Sequence, residues 1–226
     1  SVLDPCMDIT VEGDTLTLAD AVTYTYDTDA GTFTQLGVSP INHTSTIVGG
    51  ARVIVTGRFE LGTNATLRAV GTRPLVIASW TDINIAGIVD VSSSAAGIGA
   101  AANVGPCNAA GDGTSETQGG GGGGGGAFQS VGGDGGAGDN GANAGGLKGT
   151  EVPTYGLRGG CPGGNGGVVD GNITEVGLGG AGGGAVYLVA RSAVTNSGVI
   201  HAGGQGGGGA LNNRAAGCGG GSGGLI

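Results

Sequence analysis

Val76-Ile-Ala-Ser-Trp-Thr81 with Ile83-Asn-Ile-Ala-Gly-Ile-Val-Asp-Val91 recurs as Leu188-Val-Ala-Arg-Ser-Ala193 with Val194-Thr-Asn-Ser-Gly-Val-Ile-His-Ala202. One residue, Asp82, is skipped to bring the two into line. Gly87 then falls on Gly198, Asp90 on His201, and Cys107 on Cys218 at one offset of 111. Both copies are short β-branched runs broken by a small turn, the pattern of strands. A strand unit that returns after a long excursion predicts a parallel β-solenoid, one coil stacked on its equivalent. The expected fold class is therefore all-β.

Working outward, residues 47–92 read as a dense series of strands. They are Arg52–Thr56, Arg58–Leu61, Ala65–Val70, Leu75–Ser79, Ile83–Ile85 and Ile88–Val91, with turns at Gly57, Gly62, Gly71 and Gly87. No segment shows the i, i+3, i+4 spacing of a helix. Residues 1–46 form a strand-rich head. Period-two alternation runs through Thr15–Leu18 and Val22–Tyr26, and a turn at Asp27–Gly31 leads to Thr32–Thr34, which predicts a β-hairpin. The solenoid then occupies 47–226, with a glycine-rich insertion over about 93–184 and a second glycine-rich end at 203–224.

Glycine supplies 58 of the 226 residues, against an average usage of ~7%. It loses more backbone entropy on folding than any other residue, so an ordered glycine region needs dense backbone hydrogen bonding. The run Gly119–Gly126 carries no side chain at all. Polyproline-II-like strands, with three residues per turn and no internal hydrogen bonds, can then approach closely enough to bond to one another. That predicts packed extended segments across 117–184.

The charge balance excludes some partners. The chain carries one lysine, Lys148, seven arginines and a net charge of −9, so nucleic acid is not an expected partner. The four cysteines, Cys6, Cys107, Cys161 and Cys218, form no CxxC or CxxH pair. They read as two disulfides of an oxidising compartment rather than as zinc ligands. Three pairings are open. The repeat favours Cys107–Cys218, which leaves Cys6–Cys161. With Ser1 at the start and no run of the ~20 apolar residues that spans a bilayer, the expectation is a processed, secreted or cell-surface protein.

Arg158–Gly164, Gly179–Ala185 before an apolar strand, and Gly217–Ile226 resemble a group of exported glycine-rich proteins from myxobacteria. The resemblance covers roughly residues 50–226 and implies export, with no activity attached. By composition alone, the packed-glycine architecture is similar to the polyglycine-II tips of phage tail-fibre adhesins and to glycine-rich antifreeze proteins.

Few residues point to chemistry. Asp27-x-Asp29-x-Gly31 is similar to the start of a calcium loop, and Asp134 and Asp139 in Gly133–Asp139 are similar to Gly-Asp calcium repeats but lack their apolar position. A plain hairpin turn is the preferred account of the first, because an EF-type loop needs a later Glu and the next acidic residue after Asp29 is Glu60. GxGxxG matches are guaranteed by composition and lack the helix a dinucleotide site needs. No catalytic residue and no cofactor are expected beyond that calcium candidate. His43 and His201 read as ordinary polar positions. Asp82, Asp90, Arg68 and Arg73 fit a polysaccharide-cleaving solenoid only if they converge in one groove. Trp80 and Tyr155 lining such a groove would favour that reading. The alternating threonines at 15/17, 23/25 and 32/34 suit an ice-binding face if they share one plane. The leading expectation is an extracellular structural or adhesive component, self-associating into a fibre or oligomer, with a surface polysaccharide as a further partner.

Overall fold

A computed structural model describes residues 12–19, 21–34, 41–108, 110–116, 119–138, 141–153, 156–168, 177–210 and 215–226. The described residues form thirteen strands and no α-helix. In chain order, β1 (Leu16–Leu18) and β2 (Thr23–Asp27) make a first pass, followed by β3 (Thr32–Thr34) and β4 (Thr44–Val48). A second pass is β5 (Ala51–Thr56), β6 (Phe59–Leu61) and β7 (Thr66–Val70). A third is β8 (Leu75–Ser79), β9 (Asp82–Ile85) and β10 (Ile88–Asp90). After the excursion the last pass is β11 (Val186–Ala190), β12 (Ala193–Asn196) and β13 (Val199–His201).

Each pass visits three sheets in turn. The first sheet is β1-β6-β9-β12, the second β13-β10-β7-β2-β3, and the third β11-β8-β5-β4. Neighbours are parallel except β3 on β2 and β4 on β5, which close one end antiparallel. The expected hairpin is thus β2–β3 around Asp27–Gly31. The strands of the predicted head are built into the same sheets as the rest, since β1 pairs with β6 and β2 with β7.

Alternation decides which side chains meet. Leu18, Phe59, Leu67, Leu75, Ile77, Ile83 and Val89 point between the three sheets and are fully shut from solvent or nearly so. Val53, Val55, Val76 and Ala78 face the other way on the third sheet and form a second core with Val48, Trp80, Leu157 and Val189. Hence β8 is buried along its whole length. The repeat holds with one correction. Ile77 stands opposite Leu188 and Asp82 opposite Ala193, so nothing is skipped and the offset is 111 throughout. The shift proposed from sequence turns Leu188 onto the outer face, because a one-residue slip flips every side chain. In the structure Leu188 packs on the inner core.

Beyond β10 the chain leaves the sheets and folds into a bundle of glycine segments. Within 119–126, successive N–H groups go to three neighbours in rotation. Gly121 donates to Thr114 O (3.0 Å), Gly122 to Gly136 O (2.7 Å) and Gly123 to Gly217 O (3.0 Å). Gly124 then returns to Gly111 O (2.9 Å), Gly125 to Gly133 O (2.7 Å) and Gly126 to Gly220 O (2.9 Å). Two further segments donate into it, Gly146 and Gly149 to Gly122 O and Gly125 O, and Gly164 and Gly167 to Gly124 O and Gly121 O. The run is therefore enclosed by five segments. A Cβ on Gly121 would run into the Ala144 carbonyl oxygen, and one on Gly124 into that of Leu147.

The disulfide differs from expectation. Cys107 pairs with Cys161, Cα–Cα 5.5 Å, so neither Cys107–Cys218 nor Cys6–Cys161 forms. The equivalence of 107 and 218 holds only while the chain is in the sheets. Past Val91 the segment 159–161 lies along 101–103, with Asn103 N–H on Gly160 O at 3.0 Å, and brings Cys161 to Cys107. Cys218 is a free thiol that donates to Gly177 O (2.8 Å) and accepts from Gly166 N–H (3.2 Å). Cys6 lies outside the described residues. Arg158 plugs the junction, 9% exposed, between both disulfide sulfurs and the Phe128 ring. Burial holds its pKa below the ordinary arginine value.

Candidate functional site

A shallow groove of about 390 Å³ crosses all four passes on the outer face of the first sheet. Register builds it. Thr17, Glu60, Asn84 and Thr195 are direct partners on β1, β6, β9 and β12, so they form one ladder of polar rungs. Parallel strands lie about 4.8 Å apart, and the four rungs span roughly 15 Å. Two residues further on, just past the end of each strand, Ala19, Gly62, Ala86 and Ser197 follow as a row of small residues that leaves the space beside the ladder. Thr17 Oγ1 donates to Glu60 at 3.4 Å. Arg58, at the entry of β6, holds both Glu60 (3.7 Å) and Asp82 (3.0 Å). Among the described residues that line the groove, Glu60 is the only charged one.

The residues singled out from sequence are distributed over other surfaces. Asp27 Oδ1 accepts the N–H groups of Asp29 (2.8 Å) and Ala30 (3.0 Å) and shapes the β2–β3 turn. Asp29 accepts Thr72 N–H (2.7 Å) and Oγ1 (2.6 Å), which ties that turn to the β7–β8 connection. Partial burial raises the Asp29 carboxyl pKa, but the Thr72 bonds, with Arg73 and Arg52 nearby, outweigh it and leave it below the ordinary value. The calcium candidates thus serve the backbone. Among the described residues no three His, Cys, Asp or Glu side chains group as a metal site. Asp134 takes the backbone N–H of Lys148 at 2.9 Å, and Asp139 lies outside the described residues.

Asp82 sits on the first sheet, whereas Arg68 and Asp90 pair at 3.0 Å on the second and Arg73 faces Asp29 at 3.8 Å. These four do not converge. His201 follows Asp90 in register on the second sheet and is exposed. His43 sets its ring nitrogens 3.0 Å from Ile41 O and Gly31 O and meets the Tyr26 and Phe33 rings edge-on at the closed end. Trp80 packs on the second core with Arg191 over its ring at 5.9 Å, and Tyr155 lies outside the described residues. Thr17 is on the first sheet while Thr23, Thr25, Thr32 and Thr34 are on the second, so the threonines share no single plane.

Compared with family models, curated proteins and solved structures, the chain matches none. The groove is thus interpreted from its own chemistry. Sequence reasoning missed it because Thr17, Glu60, Asn84 and Thr195 have no motif spacing. Only the register makes them neighbours, and the repeat that reveals part of that register covers Asn84 and Thr195 alone. Three neutral rungs and one arginine-held carboxylate suit hydrogen bonding to hydroxyl-rich ligands. Among the described residues that line the groove Glu60 is the sole carboxylate, and Asp82 shares its arginine from outside the groove.

Proposed function

We propose that this protein is a rigid extracellular structural or adhesive module. In this reading the three-sheet stack is a parallel β-solenoid and the glycine segments are a polyglycine-II bundle. The groove on the first sheet holds a surface polysaccharide without cleaving it. The observation that carries the reading is the three-fold rotation of the N–H groups of Gly121–Gly126 among three neighbouring segments. Such a period matches a helix of three residues per turn, and it builds stiffness while offering no reactive group. The Cys107–Cys161 disulfide is compatible with an extracellular setting. A rung spacing close to one sugar ring favours an extended glycan lying along the stack.

Retention of labelled protein on immobilised neutral polysaccharides tests this. The expected result is retention that Asn84→Arg abolishes while the fold, by circular dichroism, is kept. Release of reducing ends from the polysaccharide would replace adhesion by hydrolysis, and no retention on any glycan would remove the groove's role.

A further inference from the structure

Among the described residues, Arg158 is a buried charge with no opposite charge beside it. Its Nε donates to Gly159 O and its Nη1 to Pro106 O, both at 3.3 Å. Its Nη2 faces both disulfide sulfurs, 3.4 Å from Cys107 Sγ and 3.4 Å from Cys161 Sγ. The ion pairs among the described residues are made by Arg58, Arg68, Arg73 and Lys148. Two carbonyl oxygens satisfy donors of Arg158 but bring no net charge, and an uncompensated buried charge is costly. A disulfide sulfur is only a weak acceptor. A thiolate in the same place would supply the missing charge.

The two sulfurs differ in access. Cys161 is fully buried, and its backbone is fixed on both sides by Ser222. The Cys161 N–H donates to Ser222 Oγ at 2.8 Å, and the Cys161 carbonyl accepts Ser222 N–H at 3.0 Å. Cys107 is only partly buried, and Gly105, Pro106 and Asn108 around it are exposed. An attacking thiolate therefore reaches the Cys107 sulfur, and the Cys161 sulfur is the one that leaves. A thiol leaves faster the more acidic it is, and an adjacent guanidinium makes it more acidic.

We propose that the Cys107–Cys161 bond is a thiol-exchange site, with an external thiol as its co-reactant and Arg158 holding the sulfur that leaves. The external thiol loses its proton to solvent, and its thiolate attacks Cys107 Sγ. A bond from Cys107 to the incoming sulfur forms as the Cys107–Cys161 bond breaks. The electron pair departs on Cys161 as a thiolate, which pairs with the Arg158 guanidinium. One disulfide has replaced another, so this step has no net oxidation. A second external thiolate, attacking the incoming sulfur, carries it away as an external disulfide and leaves both cysteines reduced. The two electrons then come from the two external thiols. The inference goes beyond the adhesive reading and uses no residue of the groove.

Equilibration of the whole chain in glutathione buffers of graded thiol-to-disulfide ratio tests it, with acid quenching and mass mapping of each cysteine. The expected mixed disulfide is on Cys107 and not on Cys161. Cys218, a free thiol, is mapped separately and does not enter the comparison. Arg158→Met keeps the length of the plug and removes its charge. It is expected to lower the equilibrium constant for reduction by about tenfold or more, roughly 30 mV for this two-electron couple. Arg158→Lys is expected to restore most of the loss. A second measurement needs no Arg158 variant to fold. Thiolate absorbance of the reduced wild type, less that of reduced Cys161→Ser, is expected to titrate below the ordinary thiol value of about 8.5. Equal reduction of wild type and folded Arg158→Met overturns the inference. So does a mixed disulfide on Cys161, a titration at or above the ordinary value, or a bond that glutathione leaves intact at every ratio.

Discussion

Ile77 and Ile83 in the strand stack are shut from solvent by side chains of the neighbouring passes. Gly121 and Gly124 in the bundle are shut in by carbonyl oxygens of other segments. Both regions satisfy their backbone through bonds between segments, but they fill space in opposite ways. The stack has side-chain volume that can be trimmed or repacked. The bundle has none, and what surrounds its central run is backbone. A deletion leaves a cavity in the first region, whereas an addition has nowhere to go in the second.

The largest effect is therefore expected from the smallest chemical change. Gly121→Ala adds one methyl group where the Ala144 carbonyl stands. It is expected to cost more than ~4 kcal/mol or to prevent the bundle from forming. Gly206→Ala is its control, because nothing lies within 4 Å of a Cβ there. That variant is expected to be neutral or to stabilise by up to about 1 kcal/mol through the unfolded chain. Urea unfolding of the two variants measures the contrast, and equal midpoints would mean that the bundle is not close-packed in solution.

Next comes the clasp of the bundle. Cys107 and Cys161 close a loop with a sequence separation of 54. Removing both as serines is expected to cost about 4 kcal/mol at most on loop-closure grounds, with the loss confined to the amides of the bundle in hydrogen exchange. In the stack, Ile77→Ala removes a fully buried side chain and is expected to cost roughly 2–5 kcal/mol. Its damage falls on the strand amides instead. Simultaneous loss of both regions in either variant would show that they unfold as one unit.

The two regions also differ in how far they can be read in advance. The strands of 51–90 follow from alternation and turn residues. The offset of 111 that relates β8–β10 to β11–β13 is written in Gly87 and Gly198. β4 is less legible, because Thr44–Val48 carries only a brief alternation and its strand state depends on the edge of β5. The bundle is legible as a demand, since Gly119–Gly126 has no reason to lack side chains unless enclosed. Its partners are not, because glycine segments are interchangeable in sequence and only the rotation of bonds distinguishes them. The disulfide was missed for that reason. The groove was missed because a ladder of Thr, Glu, Asn and Thr exists only in register.

The smallest expected effect separates the regions by pH. Asp29 anchors a turn of the stack through Thr72, and Asp134 anchors two segments of the bundle through the backbone N–H of Lys148, with its ammonium group at 3.5 Å. Burial works against the Asp29 shift while the bonds prevail, and for Asp134 the Lys148 backbone bond leads, so both carboxyls lie below their ordinary value. A carboxyl with a depressed folded-state pKa stabilises the fold above its unfolded pKa of about 4, and that contribution fades as pH falls through the folded value. Asp29→Asn and Asp134→Asn are therefore expected to lower the urea midpoint slightly at neutral pH. Their difference from the wild type should shrink steadily from about pH 5 downwards. Both side chains are more than a third exposed, so solvent screening keeps the effects small. High salt should remove part of each, since Arg73 and Lys148 act through charge, and should leave the backbone bonds. Asp29, the less exposed of the two, is expected to show the larger change, read in strand amides by hydrogen exchange. Asp134 should register only in the bundle. A pH-independent difference for both variants would mean that the bonds act without their charge, and that neither turn is held electrostatically.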